Sequence, residues 1–453
     1  MKALFGTDGI RGEAGQFPLD PATVSAIGFS LASHLAERTT NPQIVIGRDT
    51  RESGESIERA LIAGANRAGA KCLSAGVITT PGVAFLTRKL KAAAGVVISA
   101  SHNPYQDNGI KIFAPSGQKM DDSVERQIEA DIFTNGKPSQ PDYAPLSLEL
   151  EEQLHEDYLS FLTADIARGL SLNGLTIVVD CANGASSAFA PILFERLGAR
   201  VIAINAAPDG RNINLNCGSL HIESLREKVM TEHADLGVAF DGDADRSLFI
   251  DNKGKFVDGD ATLWALATHL QSHGKLKDNV VVATVMSNIG LEIALRSKGI
   301  QLVRTGVGDK YVLDELLRLG ASLGGEQSGH IIMPELSLAG DGMLTALCLL
   351  RALCESRQSL SAMTAGFKQY PQVLLNVRVR ERVPFDLMAS VQSAVAEVGE
   401  LLSQKGRLLL RYSGTEPLAR VMIEGENQDQ IEDYAARIAG AIESEIGASD
   451  GGS

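Results

Sequence analysis

The sequence predicts an α/β protein: three related mixed-sheet α/β domains plus a smaller C-terminal α+β domain, arranged around a central cleft. Three observations carry this. A cycle of strand, helix and two further strands occurs three times, each third strand runs into a polar loop, and the pattern changes in kind after Gln369-Tyr370-Pro371. A chain of 453 residues is long enough for about three or four domains. Strands alternating with helices argue for parallel, helix-covered sheets, and three copies argue for repeated whole domains rather than a solenoid.

In chain order, Phe5-Gly6-Thr7-Asp8-Gly9-Ile10-Arg11-Gly12 comes first and reads as a loop whose backbone approaches something closely. Asp20-Pro21 supplies an N-cap and a proline at the first helical position, with Val24, Ile27, Leu31 and Leu35 at helical spacing. The first cycle then runs through a strand Ile44–Ile46, a helix around Ile57 and Leu61, a strand at Cys72-Leu73 and the strand Val96–Ile98. The second runs through Ile177–Val179, a helix with Leu193 and Leu197, Val201–Ile204 and Leu236–Phe240. The third runs through Val281–Val285, a helix from Leu291 to Leu295, Gln301–Val303 and Ser322–Gly324. The last domain has a strand Val373–Leu375, a helix with Leu387, Val391, Val398 and Leu402, strands Leu408–Leu410 and Val421–Ile423, and a helix with Ile431, Tyr434, Ile438 and Ile442.

Composition sets the boundaries. Asn135 to Leu146 is rich in Pro, Ser and Gly and reads as a linker; Asp251-Asn252-Lys253-Gly254 is a turn near the second boundary. The expected domains are 1–146, 147–253, 254–368 and 369–446, with 447–453 a frayed tail.

A formal charge of −14 argues against a nucleic-acid binder, which would carry a basic face. Small anionic ligands stay open, because local rather than net charge binds them. The five cysteines form no C-x-x-C pair and no even set, which fits a reducing compartment. The N-terminal stretch lacks the apolar segment of a secretory signal, and no apolar run reaches the roughly 20 residues that span a bilayer. A cytoplasmic protein with no membrane partner is expected.

The three polar loops hold the chemistry. They are Ser99-Ala100-Ser101-His102-Asn103-Pro104, Asp241-Gly242-Asp243-Ala244-Asp245-Arg246 and Gly325-Glu326-Gln327-Ser328-Gly329-His330. Ligands of open α/β sheets bind beyond the carboxyl ends of strands, so the loops read as three walls of one cleft. Carboxylates at i, i+2 and i+4 face one side of an extended chain, and Asp241, Asp243 and Asp245 offer hard oxygens suited to Mg²⁺. A calcium hand is not expected, since Arg246 and Asn252 stand where its glycine and glutamate would be. Lys111, in Gly109-Ile110-Lys111-Ile112-Phe113, is either a lysine tuned for proton transfer or a strand lysine facing solvent. His330 is either catalytic or structural. Arg411-Tyr412-Ser413-Gly414-Thr415-Glu416-Pro417, with Arg420 behind it, suits a phosphate fork or a decorated hairpin turn. A serine, a divalent cation, phosphate-binding cations and a hydroxyl-binding wall together make the parts of phosphoryl transfer.

On these four motifs, in this order and over nearly the whole length, the chain resembles the α-D-phosphohexomutase family, and within it the bacterial phosphoglucosamine mutases. The opening Phe5–Gly12 stretch and Gln327 carry the narrower likeness. Leu220 and the threonine-free Leu338-Ala339-Gly340-Asp341-Gly342 depart from the family pattern. The resemblance implies that Ser101 carries a phosphoryl group and that Asp241, Asp243 and Asp245 bind Mg²⁺ beside it. It implies further that Glu326 and Ser328 meet sugar hydroxyls, and that Arg411, Ser413, Gly414, Thr415 and Arg420 hold the non-reacting phosphate. Arg11 and Arg246 would steady the phosphate or its loop, and Lys111, His102 and His330 are unranked candidates for proton transfer. The implied reaction interconverts glucosamine 6-phosphate and glucosamine 1-phosphate through a 1,6-bisphosphate, feeding UDP-N-acetylglucosamine synthesis. Glucosamine or glucose 1,6-bisphosphate would be the activator, and the last domain would move as a lid. The expected partner is a small hexosamine phosphate, with a homodimer left open. Competing expectations are a phosphomannomutase/phosphoglucomutase, a non-catalytic sugar-phosphate binder and a metal-dependent phosphatase.

Overall fold

The structure is a computed structural model, and it describes residues 4–6, 8–134, 151–403, 405–413 and 417–448. The 135–146 linker, Gly414, Thr415 and most of the tail lie outside the described residues. Among the described residues no helix is long and apolar enough to cross a membrane, and the five cysteines are free thiols.

Asp20 caps the helix Pro21–Ala36 by accepting from the Thr23 backbone N–H at 3.1 Å. That helix buries Val24, Ile27 and Leu31 against Ile57, Leu61 and the strands beneath, forming the core of the first sheet. The sheet contains β1 (Phe5–Gly6), β2 (Gly9–Glu13), β3 (Gln43–Arg48), β4 (Lys71–Val77), β5 (Ala94–Ile98) and β6 (Asp107–Phe113), in the order β1-β2-β6-β5-β3-β4. The opening Gly-rich stretch is therefore not a loop but a hairpin that extends the sheet, with Arg11 on β2. The close approach expected of it is present at Gly9: its φ is +77°, and a Cβ there would stand 2.3 Å from the Ile110 carbonyl oxygen.

The second sheet contains β7 (Thr176–Asp180), β8 (Arg200–Ile204), β9 (Leu236–Phe240), β10 (Ser247–Asp251) and β11 (Phe256–Val257), ordered β11-β10-β9-β7-β8. The third contains β12 (Val280–Thr284), β13 (Gln301–Thr305), β14 (Gly324–Gly325) and β15 (Ile331–Ile332), ordered β13-β12-β14-β15. One motif recurs. The first strand of each cycle pairs in parallel with the third (β3 with β5, β7 with β9, β12 with β14), and the chain then returns antiparallel as β6, β10 or β15. Each polar loop is the bend between the third strand and that return. The sheets are mixed because a short loop can reverse a strand, whereas a parallel return needs a crossover.

The fourth sheet is antiparallel, β16 (Gln372–Arg378), β17 (Arg407–Tyr412) and β18 (Leu418–Glu424), ordered β16-β18-β17. The helices Ala389–Leu402 and Gln428–Ile446 complete its core with Val391, Val398, Ile431, Ile438 and Ile442.

Three details differ from expectation. Val285 lies beyond β12, and Ser322-Leu323 precede a third strand of only two residues, both glycines. Leu387 lies before its helix in a short 3₁₀ turn and is 72% exposed. The chain also divides into two compact units, 1–286 with 302–365, and 287–301 with 366–453. The helix Ile289–Ser297 of the third cycle thus belongs to the C-terminal unit. Its cap Asn288 donates to the Tyr370 carbonyl at 3.0 Å, and the buried Glu424 accepts from the Ile289 N–H at 3.1 Å.

Candidate active site

The site is built at the carboxyl ends of β5, β9 and β14, within the larger compact unit. Strand β5 is buried throughout and ends at Ile98; three residues later Ser101 adopts φ +51°, the left-handed region that costs a non-glycine residue roughly 1–2 kcal/mol. The surroundings offset that cost. Arg51 donates to the carbonyls of Ser101 (3.0 Å), Asn103 (2.9 Å), Asp107 (2.8 Å) and Pro104, and Asn214 donates to that of Ser101 at 2.8 Å. Arg11 donates to the Ala100 carbonyl at 2.9 Å and to Asp8 at 2.6 Å. Asp49, fully buried, accepts from Ser99 Oγ at 2.7 Å and from Arg51 Nε at 2.8 Å. So held, Ser101 Oγ donates to Asp241 Oδ2 at 2.6 Å and stands 3.2 Å from His102 Nδ1.

The acidic loop follows β9. Its three carboxylates do not converge by lying along an extended chain, as their spacing suggested. They converge because the loop turns: the Ala244 N–H donates to the Asp241 carbonyl at 3.0 Å, and Ala244 takes φ +54°. The ligand oxygens then lie within 4.8 Å of one another, all on buried residues. Asp241 is hydrogen-bonded through both oxygens, Asp243 and Asp245 through one each. Asp241 Oδ1 accepts from the Arg246 N–H at 3.2 Å. Asp243 Oδ2 accepts from Thr80 Oγ1 at 2.6 Å and Lys111 Nζ at 2.9 Å, and Asp245 Oδ2 from Lys111 at 3.4 Å. Asp243 Oδ1 and Asp245 Oδ1 are buried without a hydrogen bond. Burial and the neighbouring Asp245 and Asp243 push the Asp241 carboxyl well above the usual carboxylate range. Buried oxygens without donors, beside a carboxylate its neighbours repel, fit a hard divalent cation. The triad can hold a metal.

Lys111 is a buried residue of β6, so the solvent-facing alternative is excluded. Burial opposes its charge, but Asp243, Asp8 and Asp245 prevail and hold it protonated well above the usual lysine range. His330, also buried, is 3.7 Å from Asp245 Oδ1 through Nδ1 and 3.6 Å from Asp309 Oδ2 through Nε2. Burial would lower its pKa, but Asp245, Asp309 and Glu326 raise it to about 9. His102 goes the other way: burial, then Arg246 and Arg11, lower it to about 4. Two of the three proton-transfer candidates are thus cations near neutral pH, and His102 is neutral. Arg246 lies 3.7 Å from Asp245 Oδ1.

On the third wall, Glu326 Oε1 accepts from the Gly308 N–H at 3.1 Å, and Ser328 Oγ lies 3.5 Å from Glu326 Oε2. Both side chains are partly exposed. Gln327 is tied back to Asp258 at 3.2 Å, and the Gly329 carbonyl accepts from the Ser247 N–H at 3.1 Å. A Cβ on Gly340 would stand 2.2 Å from His330 Nε2, so the segment that departs from the family pattern packs directly on that imidazole. A cavity of about 110 Å³ opens beside the triad, lined in part by Thr80, Lys111, Lys119, Asp245, Asp309 and His330.

In the C-terminal unit, Arg411 and Arg420 stand directly opposite each other across β17 and β18, and Arg420 reaches Ser413 Oγ at 3.5 Å. Like charges in register are unfavourable unless an anion lies between them.

Asp8, Asp49, Arg51, Thr80, Lys119, Asn214 and Asp309 were not singled out from sequence. Asp49-x-Arg51 directly follows β3, a strand end of the kind that carries function, and that position is the signal for it. Asn214 lies in an irregular stretch with no such signal.

Comparison with known proteins gives the family. The phosphoglucomutase/phosphomannomutase descriptions match in order: alpha/beta/alpha domain I over residues 2–139, domain II over 156–254, domain III over 258–370 and the C-terminal domain over 374–441. The chain belongs to the phosphoglucomutase/phosphomannomutase family. Among its relatives it is 52% identical to a phosphoglucosamine mutase of Solibacter usitatus over 98% of this chain and 99% of that protein. It is 46% identical to the phosphoglucosamine mutase of Koribacter versatilis over 99% and 98%. Its fold is also that of a phosphoglucomutase/phosphomannomutase family protein from Burkholderia thailandensis (TM-score 0.80, 22% identity, 98% of this chain and 99% of that one).

Proposed function

We propose that this protein is a phosphoglucosamine mutase that interconverts glucosamine 6-phosphate and glucosamine 1-phosphate through a phosphoserine at Ser101 and a 1,6-bisphosphate. The observation that carries this is Ser101 Oγ, 2.6 Å from Asp241 in a loop whose backbone Arg51 and Arg11 secure. Asp241, Asp243, Asp245 and the Ser101 phosphate are the proposed ligands of Mg²⁺, which when bound would neutralise charge on the moving phosphoryl group.

In the forward half-reaction the sugar 1-hydroxyl attacks phosphorus, the P–O bond to Ser101 breaks and the new P–O bond forms. The hydroxyl proton needs an acceptor, and among the candidates only His102 is neutral. Lys111 and His330 carry positive charge and suit stabilising the developing serine alkoxide. In the return half-reaction the 6-phosphate moves to Ser101 and the same groups act in reverse. Glu326 and Ser328, the partly exposed groups of the third wall, would accept from and donate to sugar hydroxyls. Arg411, Ser413 and Arg420, with Gly414 and Thr415, would hold the other phosphate, consistent with two arginines placed in register. A hexose 1,6-bisphosphate would prime the serine.

The four segments 1–146, 147–253, 254–368 and 369–446 would then supply the phosphoserine, the metal, sugar recognition and phosphate binding. Two measurements test the proposal. Ser101→Ala is expected to abolish turnover and stable phosphate labelling, and full activity in that variant would sink the covalent mechanism. Glucosamine 6-phosphate is expected to give the highest kcat/KM in a panel with glucose and mannose 6-phosphates; a preference for either neutral sugar would make it a phosphomannomutase/phosphoglucomutase.

A further inference from the structure

We propose that His269, His273 and Glu355 form a second metal site, for a transition-metal ion of the Zn²⁺ class, between two helices remote from the aspartate loop. His269 lies in the last turn of the helix Gly259–Ser272 and His273 one residue beyond it, an i, i+4 pair on one face. Glu355 is in the last turn of Gly342–Ser356, packed alongside.

The spacing fits. His269 Nε2 and His273 Nε2 lie 3.2 and 3.7 Å from the same oxygen, Glu355 Oε2, and one donor atom from each residue falls within a 4.8 Å set. Tetrahedral zinc with ligands near 2.0–2.2 Å separates them by about 3.3–3.6 Å. The tautomer fits as well. His273 Nδ1 is 2.9 Å from the His269 carbonyl oxygen, which can only accept, and 3.1 Å from Ser272 Oγ, whose own proton goes to that same carbonyl at 2.8 Å; with Nδ1 donating, Nε2 turns its lone pair toward Glu355. Ligating histidines are oriented in this way by a backbone carbonyl. Arg351 lies 3.6 Å from the other carboxylate oxygen, Oε1, leaving Oε2 to the imidazoles. The imidazole rings are 4.3 Å apart. The three side chains are 11%, 45% and 41% exposed, so an ion enters from solvent and a water can take the fourth position.

The placement gives the ion a structural role. At their other ends the same helices abut the active site: the Gly259 N–H donates to the Gln327 carbonyl at 2.9 Å and the Gly342 N–H to the Ala244 carbonyl at 3.0 Å. A metal about 15 Å away along the helices would staple the far ends of the two supports of the third wall and the acidic loop.

The test is a Zn²⁺ titration of the full chain saturated with Mg²⁺, by calorimetry, with Co²⁺ absorption as a second reading. The expected result is one Zn²⁺ equivalent that survives Asp241→Asn, weakens on the order of a hundredfold in His273→Ala, and disappears in the His269→Ala/His273→Ala pair. Zn²⁺ should raise the melting temperature of the wild type and not of the pair, and Co²⁺ should give a tetrahedral visible spectrum in the wild type alone. No such equivalent in the wild type, or one lost in Asp241→Asn and kept in the histidine pair, would overturn the proposal. Neither outcome depends on the identity of the sugar substrate.

Discussion

The guanidinium of Arg51 donates to the backbone carbonyl of Ser101 at 3.0 Å while its Nε is held by Asp49 at 2.8 Å. A side chain from the end of β3 therefore sets the backbone of the serine at the end of β5. Arg51 is itself buried, and four carbonyls of the loop 101–107 converge on it.

Arg51→Lys keeps a charge beside Asp49 and removes the planar fork. The expected outcome is a fall in kcat of more than about tenfold with KM changed far less, and a loss of stability of about 2–4 kcal/mol in urea unfolding, from charge-assisted bonds worth about 1.5–3 kcal/mol each. Wild-type kcat with intact phosphate labelling would show that the loop holds its shape without Arg51.

Asp241→Asn removes one of three mutually repelling carboxylates whose ligand atoms lie within 4.8 Å. In chelator the variant should unfold at a higher temperature than the wild type, by relief of like-charge repulsion. Adding Mg²⁺ should stabilise the wild type more than the variant, reversing or closing the gap. Equal Mg²⁺ stabilisation of both proteins would remove Asp241 from the ligand set.

Asp341 gives a pH dependence of unusual sign. It caps the helix Gly342–Ser356 through the Leu344 N–H at 2.9 Å and accepts from Tyr158 Oη at 2.7 Å, yet burial raises its pKa from 3.8 to about 6. Its folded pKa exceeds the unfolded one, so its contribution is fully present below about pH 4 and is lost as pH rises through 6, by roughly 3 kcal/mol. Asp341→Asn keeps a capping oxygen and removes the charge. Its stability should fall less than that of the wild type between pH 4 and 6 and should match or exceed it at pH 7.5, read by urea midpoints; parallel profiles would contradict this.

Arg420→Ala should raise KM for the sugar phosphate by about ten- to a hundredfold, the worth of a hydrogen bond to a charged group, and change kcat less. A fall confined to kcat would move Arg420 from binding to chemistry.

Much of this was legible in the chain because it is local. The Asp20-Pro21 helix start, the strand runs before each motif and the four motifs depend on neighbours a few residues apart, so spacing and residue type reveal them. Hydrophobic period alone placed Leu387 in a helix; that turn begins with Pro384, and the residue is left in solvent. Period likewise lengthened the third-cycle strands, where Gly324 and Gly325 offer no side chain to pack.

By itself the sequence determined the three-fold cycle, the change of pattern after Pro371 and the residue types at each strand end. Tertiary structure alone decided what those residues do to one another. Lys111 became a fixed cation because strand pairing buries it beside Asp8, Asp243 and Asp245, residues that a linear reading separates by over a hundred positions. His102 and His330, alike in sequence, diverge because one faces Arg246 and Arg11 and the other Asp245 and Asp309. Charge state follows from burial and from the charges within a few ångströms, and only the fold determines which residues those are.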